Sequence, residues 1–399
     1  MSKQPYINFR ERGVLFLLGV VLLMISSLVR LISYPTTTSD YIYFLAKWFT
    51  ALQSHAGLTA FLYPFSDYAP LYLYLLKILT FFPVYSLWSV KTLSLAFDIG
   101  LAYTIYRLLQ DTTDYSREKL FLAFAIIMSL PTVVLNSSLW GQSDAAYALG
   151  VIVSLYFIIL DKPKWAAIAF GFAISFKLQT IFFLPIIAGY FLGKKSEWKQ
   201  VLWIPLIYFI CAIPAWIGGA SLSHTLLVYA SQSGEYTSLN VSSPSLFAFA
   251  EKFSLSTHTQ GLLFWVGIMC AVFFALVSMY SIWRIPHRAD ILVLVSLWCV
   301  ILIPLFLPRM HERYFYVADI LSVVYALYHP RRMLVPVLVV GASLLAYMPF
   351  LSSQVPFFAG AHVDLRVPST MLILAVLLLC KTFFTCIQKS LRHTTIITS

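Results

Sequence analysis

Residues 13–32 read GVLFLLGVVLLMISSLVRLI. A run of about 20 residues this apolar is long enough to cross a bilayer as one helix. It follows a basic N-terminus, Lys3, Arg10 and Arg12 against Glu11. A secretory leader would have a shorter core ending at a small-residue cleavage site, so the segment reads as a retained first helix. Similar runs recur near 88–109, 119–136, 145–161, 164–176, 179–193, 200–218, 260–283, 289–307, 314–328, 333–351 and 369–387. The run at 164–176 is short, and Lys177 and Gln179 divide it from the next. The expected fold is all-α and polytopic, a bundle of about twelve transmembrane helices forming a single integral membrane domain over residues 1–399. Composition agrees: 60% of the chain is hydrophobic and 11% charged, against roughly 25% charged in soluble domains.

The net charge of +11 would suit nucleic acid in a soluble protein. Here the basic residues sit in short loops between apolar runs, which points to topology and away from a nucleic-acid partner. The segments 107–119, 162–164, 194–199, 284–288, 331–332 and 389–392 are basic. With the N-terminus inside, alternate loops place all of them in the cytoplasm. That holds only if 70–84 does not cross, so this aromatic stretch is expected to lie in the interface. The outer face then carries 34–87, 137–144, the break at 177–179, 219–259, 308–313 and 352–368. The segment 219–259 is Ser-rich and reads as a loop or a partly ordered cap. Cys211, Cys270, Cys299, Cys380 and Cys386 form no CxxC, disulfide framework or zinc pattern.

Ionisable groups near an apolar region are costly and are site candidates for that reason. Asp40, Lys47, Asp67, Lys77, Asp144, Lys177, Arg309, His311, Glu312 and Arg313 come from separate segments, yet the topology brings all of them to the outer surface. Taken singly they have ordinary explanations. Ser39 or Asp40 would cap a helix over 41–52, Pro70 suits a first helical turn, and Asp144 would cap the next span. The run 309–313 would be a belt of internal salt bridges. Lys177 is harder to dismiss, because a lysine between two apolar runs needs a partner or water.

The order of these segments is more telling than any one of them. An acidic residue after the first helix is followed by Asp67-Tyr68-Ala69-Pro70-Leu71-Tyr72, Leu139-Trp140-Gly141-Gln142-Ser143-Asp144, Phe176-Lys177-Leu178-Gln179 and Met310-His311-Glu312-Arg313-Tyr314-Phe315. Over roughly residues 10 to 330 the chain resembles the GT-C superfamily of polyprenyl-phosphate-sugar-dependent glycosyltransferases. The nearest branches are bacterial relatives of the GPI-anchor mannosyltransferases and of the dolichyl-phosphate-glucose glucosyltransferases. Ala69 stands where that family usually has a second proline. The resemblance implies that Asp40 is the general base in the first outer loop. It puts Lys177, Arg309, His311 and Arg313 at the mouth of the lipid-donor cavity. Gln142, Asp67 and Asp144 fall on motif positions that would contact substrate, with no role assigned.

The chemistry suits those residue types. Inverting transfer needs one base for the acceptor hydroxyl. A polyprenyl phosphate leaves with its own negative charge and needs cationic stabilisation, which Lys and Arg supply. No cofactor and no metal is called for. The implied reaction moves mannose or glucose from a polyprenyl-phosphate-sugar donor to a glycan or glycolipid acceptor at the outer face of a plasma membrane. A bacterial membrane suits the compact chain, and an endoplasmic-reticulum enzyme would present the same chemistry to the lumen. Two rivals make different demands. A transporter or lipid flippase places charges at mid-membrane and broken helices in two similar halves; Asp98, inside the second span, favours it. An oligosaccharyltransferase-like enzyme or ligase needs a large soluble domain or a metal site.

Overall fold

The computed structural model describes residues 9–229, 237–285 and 288–398. Lys3 and part of the outer segment 219–259 lie outside those residues, as do the side chains of Lys389 and Arg392. The principal helices are α1 (Phe9–Ser33), α2 (Ala46–Ser54), α3 (Pro70–Leu79), α4 (Ser86–Thr112), α5 (Arg117–Met128), α6 (Asp144–Ile159), α7 (Pro163–Phe176), α8 (Leu184–Gly193), α9 (Trp203–Ile217), α10 (Thr257–Arg284), α11 (Ala289–Phe306), α12 (Tyr316–Tyr328), α13 (Leu334–Gln354) and α14 (Arg366–Thr398). Every apolar run anticipated above is largely helical, with 119–136, 179–193 and 200–218 each divided between two or more helical pieces.

Helix length departs from the expectation of about twelve spans. Six helices among the described residues are long and apolar enough to cross a membrane, or seven if the bent pair Arg117–Met128 and Pro131–Trp140 is one span. The shorter helices have a physical reason in common. Asp144–Ile159 begins after Gly141-Gln142-Ser143, Pro163–Phe176 stops at Lys177, and Tyr316–Tyr328 begins after the polar stretch 308–313. A 16-residue helix rises only about 24 Å, less than the roughly 30 Å hydrocarbon core. Irregular backbone between apolar helices is tolerated where it lines a cavity, and Gln142, Lys177 and 308–313 do line one.

The buried helix α11 is the hub, packed against α10, α12 and α14. Helices α6 and α7 form a tight hairpin, α4 packs on α5 and α6, and α1 on α5. Small residues permit the close approaches: a Cβ at Gly150 would lie 2.7 Å from that of Ala173, and one at Gly189 would lie 2.3 Å from the Met279 carbonyl oxygen. Lipid offers apolar helix faces little reason to associate, so close backbone packing of this kind carries much of the attraction. Helices α1 and α10 remain mostly exposed along their apolar lengths, which suits a rim facing acyl chains.

The segment 70–84 gives only the ten-residue α3, which packs against α2, α4, α7 and α9. At about 15 Å it is too short to cross. Phe81, Phe82 and Tyr85 after it are exposed. Within the described part of segment 219–259, strand β1 (Asn240–Val241) pairs in parallel with β2 (Met310–His311), and Leu246–Lys252 forms a 3-10 turn against α14. At the opposite end Lys194 pairs with Asp161 at 2.6 Å, and His329 stands 3.6 Å from Asp290. The basic loops thus gather at the end away from Asp40.

Candidate active site

The chain reaches the site through a broken helix. Pro131, which lacks an N–H, starts a new piece after Ser129 and Leu130, bent 51° from α5. This piece ends in a π turn, Leu135–Trp140, closed by Gly141 at φ +78°. A side chain is disfavoured in that left-handed conformation, and Gly accepts it. The turn directs Trp140, Gln142 and Asp144 to one place. A second π turn, Tyr41–Leu45, follows Asp40 directly. Such turns are rare and recur at functional sites.

Asp40 is not the helix cap its position suggested. Its side chain makes no capping hydrogen bond. Instead Oδ2 accepts from Trp140 Nε1 at 2.9 Å and from Gln142 Nε2 at 2.6 Å. Thr38 Oγ1 donates to the Trp140 carbonyl at 3.1 Å, and Ser39 N–H donates to Gln354 Oε1 at 2.8 Å, so the loop is fastened to two separate elements just before Asp40. Asp144 is no cap either. Its Oδ1 lies 2.6 Å from Lys177 Nζ and its Oδ2 accepts from Asn136 Nδ2 at 2.7 Å, all within the buried interior. That pairing supplies the partner Lys177 needs.

Arg313 links these groups. It stands 3.8 Å from Asp40 Oδ2, 3.8 Å from Asp144 Oδ2 and 3.1 Å from Glu312 Oε1, with its guanidinium 5.1 Å from the Trp140 ring centre. Burial raises the Glu312 carboxyl, but His311 and Arg313 more than offset it and leave it below its ordinary value. The belt of internal salt bridges expected for 309–313 is therefore partly present, and Arg313 also reaches beyond it. Arg309 adopts φ +62°, donates its N–H to the Leu239 carbonyl at 2.8 Å and lays its guanidinium 4.8 Å from the Phe264 ring centre.

These groups line a cavity of about 720 Å³. Asp40, Asp67, Gln142, Lys177, Arg309, His311, Glu312 and Arg313 contribute its polar wall; Phe176, Ile181, Phe182, Phe264, Ile268 and Leu307 are among its apolar lining. Asp144 stands behind Lys177 and Arg313 and is not part of the lining. Two cations of the expected constellation lie elsewhere. Lys77 closes the end of α2, its Nζ 2.6 Å from the Leu52 carbonyl and 2.7 Å from that of His55, and Lys47 sits 5.7 Å from the Tyr43 ring centre.

Sequence reasoning passed over Trp140 as a site residue, although the Leu-Trp-Gly-Gln-Ser-Asp run contains it. It also missed Asn136, and it missed Arg30 as the partner of Asp98. Arg30 lies 2.8 Å from Asp98 Oδ2 and donates to Ser137, Ser138 and the Met128 carbonyl. Lys91 likewise went unmarked; it donates to the carbonyls of Ser33, Tyr34 and Thr36 and anchors the start of the loop that carries Asp40.

A polytopic helical bundle with charged groups gathered in a cavity at one end marks a multi-pass membrane protein. Glycosyltransferase family 87 matches residues 61–308, and the chain belongs to that family. It is thus a membrane glycosyltransferase of the GT-C type. No curated protein matches the chain. The matched region includes Asp67, Gln142, Asp144 and Lys177, while Asp40 and the segment 309–313 lie outside it.

Proposed function

We propose that the chain is an inverting hexosyltransferase. It moves mannose or glucose from a polyprenyl-phosphate donor to a glycan or lipid-linked acceptor at the extracytoplasmic face of a plasma membrane, using about twelve membrane-crossing segments, some of them short. The observation that carries this reading is the composition of the cavity. A carboxylate, Asp40, shares it with a cationic wall and an extended apolar lining. A sugar joined to a lipid phosphate has matching parts: a reacting carbon, an anion and an apolar tail.

In this reading Asp40 takes the proton of the acceptor hydroxyl. The acceptor oxygen bonds to the anomeric carbon from the face opposite the phosphate. The carbon–oxygen bond to phosphate breaks, and its electron pair leaves with the polyprenyl phosphate. Arg313 is the principal stabiliser of that anion, assisted by Arg309 and His311. Lys177 contributes charge while held by Asp144, so it sets the local field more than it grips the phosphate. Asp67, at the exposed rim, meets sugar hydroxyls. Membrane lipid surrounds the bundle.

The test uses purified protein in nanodiscs with farnesyl-phosphate-mannose, farnesyl-phosphate-glucose, GDP-mannose and UDP-glucose as probes. Release of farnesyl phosphate from one of the first two is expected, with no turnover of the nucleotide sugars, and Arg313→Met should weaken donor binding at least tenfold. Consumption of a nucleotide sugar, or donor affinity unchanged in Arg313→Met, would contradict the reading.

A further inference from the structure

The hydrogen bonds on Asp40 are lopsided. Trp140 Nε1 and Gln142 Nε2 both donate to Oδ2, and Arg313 lies nearest that same oxygen, while none of the described residues hydrogen-bonds Oδ1. The side chain is 22% exposed, and it lines the cavity. The terminal torsion of an aspartate is broad and roughly two-fold, so without such contacts the two oxygens would exchange places. Two N–H donors on one oxygen remove that equivalence and leave Oδ1 as the oxygen without a hydrogen bond from the described residues.

Both donors are themselves fixed. An indole can only donate, and only through Nε1. The Trp140 ring is 1% exposed, stacks on Phe350 with centroids 4.1 Å apart and planes 8° apart, and meets Tyr347 edge-on. The Gln142 amide has its Oε1 3.5 Å from both Lys177 Nζ and the Tyr68 hydroxyl, which turns its N–H groups toward Asp40. The aromatic packing both buries the ring and holds its only polar atom against the carboxylate.

We infer that Trp140, with Gln142, is a positioning residue: its indole N–H determines which oxygen of Asp40 meets the acceptor hydroxyl. It acts on the transfer step and not on substrate binding. The inference rests on Asp40 being the base, so the experiment separates the two. Trp140→Phe keeps a flat ring against Phe350 and Arg313 and removes the N–H. Turnover is read as farnesyl phosphate released from whichever farnesyl-phosphate-hexose the wild type consumes. Trp140→Phe should lower kcat about tenfold, the effect of roughly one lost charge-assisted hydrogen bond, with KM for the donor unchanged within twofold.

The deciding measurement is a double-mutant cycle. In an Asp40→Asn background, Trp140→Phe should change kcat less than twofold, because the group it orients is already gone. Equal losses in both backgrounds, or no loss in the Asp40 background, would overturn the positioning role. Wild-type turnover in Asp40→Asn alone would remove the base, and this inference with it. If Trp140→Phe does not insert, Gln142→Met removes the other donor without touching the aromatic stack and runs the same cycle.

Discussion

Replacing Asp40 with Asn separates charge from shape. Asn has the same size, and its amide oxygen can accept the bonds that Trp140 Nε1 and Gln142 Nε2 give to Asp40 Oδ2. What disappears is the negative charge and the capacity to take a proton. The attraction to Arg313 at 3.8 Å is about 4 kcal/mol gross at an effective dielectric constant of 20. Little of that reaches folding stability. Arg313 keeps Glu312 and Asp144, and without Asp40 the two carboxylates Asp144 and Glu312 still balance Lys177 and Arg313. A change of under about 2 kcal/mol in stability follows. The rate behaves differently, because an amide cannot serve as a base at neutral pH. Loss of general-base assistance costs ~10²–10⁴-fold, or about 2.7–5.4 kcal/mol of barrier. The assay pairs thermal unfolding in detergent with single-turnover release of farnesyl phosphate. Near-wild-type turnover in Asp40→Asn would refute the assignment and move the base to Asp67, the other aspartate of the cavity wall. A large drop in unfolding temperature would show instead that Asp40 holds the fold.

The Arg30–Asp98 pair is buried at 6% and 0% side-chain exposure, so Arg30→Met or Asp98→Asn alone should destabilise the protein by about 3–5 kcal/mol, while the double variant recovers much of the loss; thermal unfolding of all three in detergent checks this, and additive losses would contradict it. Topology is checked by cysteine labelling in sealed vesicles with an impermeant maleimide: a cysteine at Ser242 should react only from outside and one at Lys195 only from inside, and the reverse pattern would invert the orientation.

Much of the fold was legible because the periodic content of a membrane helix is crude and strong. Apolar runs located every helix of spanning length, and loop charge separated the basic loops from the end where the cavity lies. What the sequence did not disclose was pairing across distance. Arg30 sits in the first apolar run and Asp98 in the second, 68 positions apart, and nothing local says that they meet. Asp40 looked like a cap because Asp after a loop and before a helix is usually one. Only the π turn ending at Gly141 brings Trp140 and Gln142 to it and gives the carboxylate another occupation. The expected number of spans exceeded the number of span-length helices for a related reason. Hydropathy registers that a segment is apolar, but not that Gly141–Ser143, Lys177 and 308–313 interrupt the helices beside a cavity.

Family membership makes the chain a glycosyltransferase, and the structure also bears on the transporter alternative on physical grounds. An alternating-access carrier needs its charged groups to exchange partners as the two sides open, and it commonly presents broken helices in matched copies. The described residues contain one bent pair, and it leads into the cavity. The mid-membrane charge that favoured a carrier, Asp98, is held by Arg30, and Arg30 is itself held by Ser137, Ser138 and the Met128 carbonyl. Moving it would strand several buried polar groups at once, each worth about 1–3 kcal/mol or more. The pair therefore acts as a fixed brace between α1, α4 and the broken helix. A rigid brace behind the turn that carries Trp140, Gln142 and Asp144 is what transfer chemistry requires, since misplacement of reacting groups by about 1 Å can cost ~10²-fold in rate.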